Sequence, residues 1–439
     1  MDDKGKTRAA VERTGLLKSY SAATRVLAPA LPLWLKKRAA KGKEDPARLS
    51  ERQGVAGVPR PAGEVVWMHA ASVGESQMLM PVINRVYKQY PDVNLVITTG
   101  TVTSAEVITP QLPKTAAHQY APADHPKAVR NFLDHWQPSL AIFAESELWP
   151  NMIMEAKARG VPMALINARM SAASIERWAK RGKKSGKALL EGFDLILAAD
   201  KQTADGLSWL TGREIEAAGN LKDAAPALPV DKPELKAMKA AIGRRSIWAA
   251  ASTHSGEEEH IAQAVVEIKK SRPKSLLLLA PRHPERIDEV QAVLDKAGLS
   301  SQRRSDGKIP TPETDVFIID GMGHMGLVYS LAKISFVGGS LVDGLKGHNP
   351  LEPARLGSAV ITGTHISSFA DTYMGLLAFD GAKRILNPKH LAPAVLNFMK
   401  DAEARKKQAD AALKYAQSRD AVLDYVWAQL EPLIPGAES

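Results

Sequence analysis

Cysteine is absent from this chain. A disulfide scaffold, thiolate metal centres and a cysteine nucleophile are therefore excluded, and any chemistry must run on oxygen, imidazole or amine groups. A reducing cytoplasm fits well. Long apolar runs are also missing. The richest stretch, Leu16 to Leu35, is interrupted by Lys18, Arg25, Pro29 and Pro32 and falls short of a clean span of roughly 20 apolar residues. The same stretch lies too far in, and is too broken, to read as a cleavable signal. Short-period repeats and low-complexity segments are lacking, which removes solenoid and disordered-tract readings. What is present is an ordinary globular composition over 439 residues, more than one comfortable core, so two domains are expected.

The formal net charge of +10 would suggest nucleic acid if it were spread over the body, but residues 1 to 63 hold fourteen Lys and Arg against six Asp and Glu. The rest of the chain carries about +2. The partner of the basic charge is thus a partner of the N-terminus, and no nucleic-acid partner is expected. An interfacial segment fits, with Leu16, Leu17, Val26, Leu27, Leu31, Leu33, Trp34 and Leu35 facing lipid and Lys36, Lys37, Arg38, Lys41 and Lys43 at anionic head groups. A helix packed on the protein's own surface is the bland alternative.

From Val65 onward short apolar runs alternate with amphipathic stretches. Strands are expected at 65–69, 95–99, 140–144, 163–167, 195–199 and 215–218, with helices at 75–90, 126–136, 151–159 and 171–181 between them. The three prolines of Asp223 to Pro233 break this series, after which it restarts with strands at 247–251, 275–280, 316–319, 334–338 and 360–362. The pattern predicts an α/β protein of two doubly wound, Rossmann-like domains facing an interdomain cleft. The expected division is 1–63 as a basic membrane-associating segment, 64–222 as a first domain, 223–233 as a linker, 234–400 as a second domain, and 401–439 as C-terminal helices packing back on the first.

Residues that follow strands are then the ones to examine. The stretch Phe336 to Gly357 begins as a buried strand and turns on Gly338 and Gly339, which leave room for a ligand near backbone. Asn349, Pro350, Leu351 and Glu352 read as a helix start, a place suited to a phosphate, with Glu352 able to accept hydrogen bonds from sugar hydroxyls. Glu75, behind Gly74 at another helix start, is either a simple first-turn acid or a general base. Glu145 and Glu147 flank one serine and diverge if the segment turns. Without Asp or His at ligand spacing, no metal site and no cofactor is expected. Lys222 and Arg282 supply fixed positive charge, and the guanidinium fork matches a phosphate. His69, His254, His283 and His348 form no pair at helical spacing, and core or supporting hydrogen bonding is their expected role. Ser72 and Ser252 lack the strand-turn-helix setting of a hydrolase nucleophile.

Eight motifs in order carry a resemblance to a known family. They are Glu51-Arg-Gln-Gly54, Ser72-Val-Gly-Glu75, Glu145-Ser-Glu-Leu-Trp-Pro-Asn151, Asn167-Ala-Arg-Met-Ser171, Gly219-Asn-Leu-Lys222, Ser252-Thr-His-Ser-Gly-Glu257, Pro281-Arg-His-Pro-Glu-Arg286, and Gly338-Gly-Ser joined to Gly347-His-Asn-Pro-Leu-Glu352. Together they resemble the lipid A Kdo transferases (3-deoxy-D-manno-octulosonic acid transferases), two-domain GT-B glycosyltransferases. The resemblance implies inverting transfer of Kdo from CMP-Kdo to a lipid A precursor (lipid IVA) at the cytoplasmic side of the inner membrane. The protein would be held there peripherally or by its N-terminus, against anionic lipid. It implies Glu75 as proton acceptor and Glu145 and Lys222 as transition-state stabilisers. CMP would be bound by Pro281, Arg282, Met322, Gly323, His324, Asn349, Pro350, Leu351 and Glu352. The chain departs from the pattern at His324, where the family often has an acid, and at Ser146, Thr364 and Ser368. A nucleotide-sugar epimerase of the same fold and a non-enzymatic membrane or nucleic-acid binder are the alternatives.

Overall fold

The structure, a computed structural model, describes Val11 and residues 13–224, 227–307 and 309–437. Two compact units divide the chain: Met1–Ala225 with Ala421–Ser439, and Pro226–Asp420.

The first unit is built on a parallel sheet of seven strands: β1 Val65–Ala70, β2 Asn94–Thr99, β3 Ala116–Tyr120, β4 Leu140–Ala144, β5 Met163–Ala168, β6 Leu195–Ala198 and β7 Glu216–Ala217. Their order is β3-β2-β1-β4-β5-β6-β7. β1 is buried along its whole length because helices cover both faces, so its sequence reads as a continuous apolar run. Side chains still alternate. Val65 and Trp67 enter one core layer with Phe132, Trp136 and Phe143, while Val66 and Met68 enter the other with Ile83 and Ile142. The connection order reverses between β1 and β4, which pair in register through Val66 and Leu140. A crevice at the carboxyl ends of the strands forms at such a switch point.

The second unit repeats the plan with β8 Ile247–Thr253, β9 Leu276–Pro281, β10 Ser301–Arg303, β11 Val316–Ile318, β12 Ile334–Val337, β13 Ala359–Thr362 and β14 Ala382–Arg384, ordered β10-β11-β9-β8-β12-β13-β14. Its switch lies between β8 and β12. The C-terminal helices do not return as one block. The helix Ala402–Ser418 stays on the second unit, where Ala412, Tyr415 and Ala416 pack with Val337, Ala354 and Val360. The following helix, Asp420–Leu430, instead buries Val426, Trp427 and Leu430 in the first unit's core. The expected linker is also shorter than 223–233, since Asp231 already caps the helix Lys232–Ile242.

Residues 1–10 and 12 of the basic segment lie outside the described residues. Beyond them, helices Gly15–Leu27 and Leu31–Ala39 follow. Two of the side chains expected to face lipid do not. Leu17 and Leu35 are each only 2% exposed, packed inward, whereas Leu16, Val26, Leu27, Leu33 and Trp34 stand out from the surface. Among the described residues no helix is long and apolar enough to cross a membrane. The Arg52 of the Glu51-Arg-Gln-Gly54 motif is structural: its guanidinium donates to Glu44, to the Ala121 carbonyl and to the Gly100 carbonyl.

Candidate active site

At the end of β1 the chain turns through Ser72, whose hydroxyl caps the helix Val73–Gln89. Glu75 completes the cap. Its Oε2 accepts from the Ala71 N–H at 2.7 Å, and its Oε1 accepts from the Ser72 hydroxyl at 2.8 Å. Burial pushes the Glu75 carboxyl up; the Ser72 and Ala71 bonds oppose this, and the charges of Glu147 and Glu145 reinforce it, leaving the group above its ordinary value. A carboxylate so raised is a better base near neutral pH.

Glu145 follows β4 with φ of 51°, and Asn167 at the end of β5 has φ of 53°. Left-handed backbone is costly for a glutamate and tolerated best, after glycine, by asparagine. The strain aims both side chains at each other and at Lys222. The Lys222 ammonium stands 2.5 Å from Glu145 Oε1, and Asn167 Nδ2 donates to the same oxygen at 3.2 Å. Asn167 Oδ1 in turn accepts from the Leu221 N–H at 2.8 Å, fixing the backbone beside Lys222. The lysine also reaches the first turn of the Val73 helix, where a methyl on Gly74 would stand 3.8 Å from its Nζ. Glu147 diverges from Glu145. It accepts from Trp149 Nε1 at 2.5 Å and from His69 Nε2 at 3.3 Å. Burial pushes the Glu147 carboxyl up, but the His69 and Trp149 bonds outweigh it and hold the group below its usual range.

In the second unit the glycine turn after β12 is already occupied by the protein. The fully buried Glu257 carboxylate accepts from the N–H groups of Gly339, Ser340, Leu341 and His254 at 2.7 to 3.0 Å. Nor do the glycines leave room for a ligand. A side chain on Gly338 would strike the Ser252 carbonyl, and one on Gly339 the His348 ring. The anion-binding concavity made by these N–H groups is thus filled from within. The helix that follows runs only from Leu351 to Arg355, too short to offer a strong N-terminal dipole.

Around it stand three histidines. His254 Nε2 and His348 Nε2 are 2.8 Å apart in nearly coplanar rings, and His283 packs edge-on against His254 at 5.5 Å between centroids. Burial lowers His348 to about 4, helped by His254, Arg282 and His283. Burial raises the Glu352 carboxyl to about 7, partly offset by Arg282. The Arg282 guanidinium itself is exposed at the end of β9, where its backbone N–H is held by the Thr253 carbonyl. Asn349 caps the short helix by accepting from the Leu351 N–H at 3.0 Å. Met322 is exposed, Gly323 has φ of 85°, and His324 starts the helix Met325–Leu331 with its pKa lowered by burial and by Arg304 against Glu234 and Asp320. Among the described residues no three or more His, Asp or Glu side chains gather closely enough to hold a metal ion.

Residues 47–225 match the family model of 3-deoxy-D-manno-octulosonic-acid transferase (kdotransferase). The chain is also 35% identical over 365 residues to the 3-deoxy-D-manno-octulosonic acid transferase of Rickettsia felis, covering 83% of this chain and 78% of the relative. The chain belongs to the Kdo transferase family. The transferase is 36% identical to the probable mitochondrial 3-deoxy-D-manno-octulosonic acid transferase of Arabidopsis thaliana, over 80% of each chain. Its GT-B fold is shared with the UDP-GlcNAc 2-epimerase of Neisseria meningitidis, solved bound to UDP-GlcNAc, at a TM-score of 0.55 over 83% of this chain and all of that one. With 14% identity, that likeness concerns the fold alone. The epimerase and non-enzymatic readings give way to a glycosyltransferase.

Within the transferase, Glu75, Glu145 and Lys222 gather at one strand-end cluster of the first unit. Arg282 and Glu352 gather with the histidines in the second. Sequence reasoning passed over Asn167, Trp149 and Glu257 as individuals although it quoted their motifs. For Glu257 a signal existed: an acid directly after Gly256 at a helix start, in a chain that elsewhere turns on Gly338-Gly339. The His254 and His348 contact had none, since 94 residues separate them.

Proposed function

We propose that this Kdo transferase moves Kdo from CMP-Kdo to a lipid A precursor in one displacement, inverting the anomeric carbon. The acceptor hydroxyl oxygen attacks that carbon, the bond to the CMP phosphate breaks, and the hydroxyl proton passes to Glu75. Positive charge developing on the sugar ring is offset by the Glu145 carboxylate, which Lys222 and Asn167 hold in place. The departing phosphate is met by Arg282. The remaining donor contacts fall to Pro281, Met322, Gly323, His324, Asn349, Pro350, Leu351 and Glu352. Since Glu257 fills the glycine turn, phosphate stabilisation rests on the exposed guanidinium more than on backbone. The observation that carries this reading is the raised Glu75 carboxyl in the same cluster as the Glu145 and Lys222 pair. Purified protein given CMP-Kdo and a tetra-acylated lipid A precursor should yield, by mass spectrometry, acceptor carrying added Kdo and one CMP for each residue added. CMP release without any change in acceptor mass would defeat it.

Peripheral docking on an anionic membrane completes the proposal. Exposed Val26, Leu33 and Trp34 accompany the basic residues of the N-terminal helices. A second basic stretch, Arg177 to Lys187, contains six Lys and Arg without an acid. It abuts the first helix, where the Thr14 and Ser185 hydroxyls are 2.5 Å apart. Because Leu17 and Leu35 are core residues, a truncation would damage the fold, and the paired change Leu33→Ser and Trp34→Ser is the cleaner test. It should lower flotation with anionic vesicles, and salt should lower it further for intact protein. Equal flotation of intact protein with neutral and anionic vesicles would remove the electrostatic part.

A further inference from the structure

Trp149 is an unusual tryptophan. It is 40% exposed, yet its edge is fixed by a chain of hydrogen bonds that begins in the core. The buried Trp67 indole N–H donates to Thr98 Oγ1 at 2.8 Å, and Thr98 Oγ1 meets His69 Nδ1 at 2.9 Å. His69 Nε2 reaches Glu147 Oε2, the oxygen that also accepts from Trp149 Nε1. The donors run without conflict from Trp67 through Thr98 and His69 to Glu147, where two N–H groups converge on one carboxylate oxygen. Pro150 directly after it opens the helix Pro150–Ala158 and stiffens the backbone on that side. The side chain is thus held at its rim while two fifths of its surface stays open to solvent.

The two other strongly exposed tryptophans are covered. Arg38 lies over the Trp34 ring at 4.7 Å, and Lys183 over the Trp209 ring at 3.9 Å. Among the described residues no ring or cation packs on Trp149. Leaving so much of a large apolar ring open, and building a buried polar relay to orient it, is costly unless something lies on it. Its place is informative as well. Glu147, which grips the indole, is close enough to Glu75 to raise that carboxyl.

We propose that Trp149 is a sugar platform: its indole face stacks on the apolar C–H face of the acceptor's hexopyranose ring and so holds the bound acceptor on the side of Glu75. This rests on the reading above in which the first unit binds the acceptor, and it adds a contact which that reading does not assign. The relay through Glu147, His69 and Thr98 makes those three positioning residues, since they act on the acceptor only through the indole.

Steady-state kinetics with detergent-dispersed lipid A precursor and CMP-Kdo test it, on wild type, Trp149→Ala, Trp149→Phe and Glu147→Gln. Stacking of this kind corresponds to about two- to thirteen-fold in binding. Trp149→Ala should raise the acceptor KM by about that factor with kcat at saturation within about two-fold and CMP affinity unchanged. Trp149→Phe keeps a ring but loses the N–H, so it should fall between wild type and Trp149→Ala, as should Glu147→Gln. A fluorescence change seen when acceptor is added to wild type should shrink in Trp149→Phe, which is folded by the criterion of unchanged CMP affinity. An unchanged acceptor KM in Trp149→Ala, or a loss confined to kcat, overturns the platform while leaving Kdo transfer intact. If wild type itself shows no acceptor-dependent CMP release, the functional reading falls, and the platform with it.

Discussion

The two units share one plan and use it oppositely. Each is a seven-stranded parallel sheet whose strand order reverses beside its first strand, and each gathers polar residues at the carboxyl ends of the strands flanking that reversal. In the first unit the backbone there is strained at Glu145 and Asn167, which aims one acid and one amide at each other beside Lys222. In the second the strain falls on Ser252 and on glycine, and the turn is closed by a buried Glu257. What remains outward is Arg282 with three histidines. The acids of the first unit would suit proton removal and cation stabilisation, while the Arg282 guanidinium of the second would suit an anion. Scaffold alone does not assign chemistry, because what fills the strand-end space decides it.

The contrast breaks first at Glu75. Glu75→Gln keeps the length of the side chain and much of the capping geometry while removing basicity. Turnover should drop by roughly 10² to 10⁴-fold with CMP affinity intact. A residue serving only the helix start would leave turnover nearly whole and cost about 0.3 to 1 kcal/mol in melting. Near-normal transfer by this variant removes the catalytic assignment.

The second unit should fail differently. Arg282→Ala deletes the exposed cation proposed to meet the phosphate, and Glu352→Ala a carboxyl beside it. Charge-assisted contacts of about 1.5 to 3 kcal/mol predict a loss of roughly ten- to a hundred-fold in CMP binding by calorimetry. Unchanged affinity in both variants would place the donor elsewhere.

A smaller effect sharpens the first unit's side of the comparison. Asn167→Ala removes the amide that holds both Glu145 and the Leu221 N–H, so kcat should fall about ten-fold while CMP affinity holds. Asn167→Gly tolerates the left-handed backbone but lacks the amide, and it separates the two roles. Recovery of kcat in the glycine variant would mean that backbone shape, not the amide, is what matters.

Much of this was legible in advance. The central strands were, because β1, β4, β5, β8, β9 and β12 are buried on both faces and read as apolar runs. Three of the four edges were not: β10 is Ser-Gln-Arg and β14 is Ala-Lys-Arg, with no apolar signal, and β3 is half polar. The strand-end acids could be picked out because they follow buried runs. Their partners could not, since Asn167 meets Glu145 across neighbouring strands and His348 meets His254 from a distant loop. The glycines were read for the space they leave, and that space turned out to hold Ser252 and His348. Averaging charge over the body hid the basic stretch from Arg177 to Lys187, whose surroundings are acidic enough to cancel it in a sum.

The smallest effect concerns pH and is read on two groups of the second unit. His348 is depressed to about 4 by burial and by His254, Arg282 and His283, so its contribution to stability is full above its ordinary 6.5 and is lost as pH falls toward 4. Glu352 is raised to about 7 by burial against Arg282, so its contribution is full below 4.5 and is lost as pH rises through 7. Between about pH 4.5 and 6.5 the two slopes oppose each other, and wild type should melt at a temperature that varies little across the window, tilted slightly upward with pH because His254 is shifted in the same direction as His348. Removing either group unmasks the other. His348→Gln should give a melting temperature that falls as pH rises from 4.5 to 7, and Glu352→Gln one that rises over the same range. His348 is only half-buried, so the excursions should be a few degrees, at about 2 to 4 °C for each kcal/mol in a unit of this size. Melting curves for the three proteins at closely spaced pH values decide it: slopes of the same sign in the two variants would mean that the histidine pair and Glu352 are not the groups that titrate with folding.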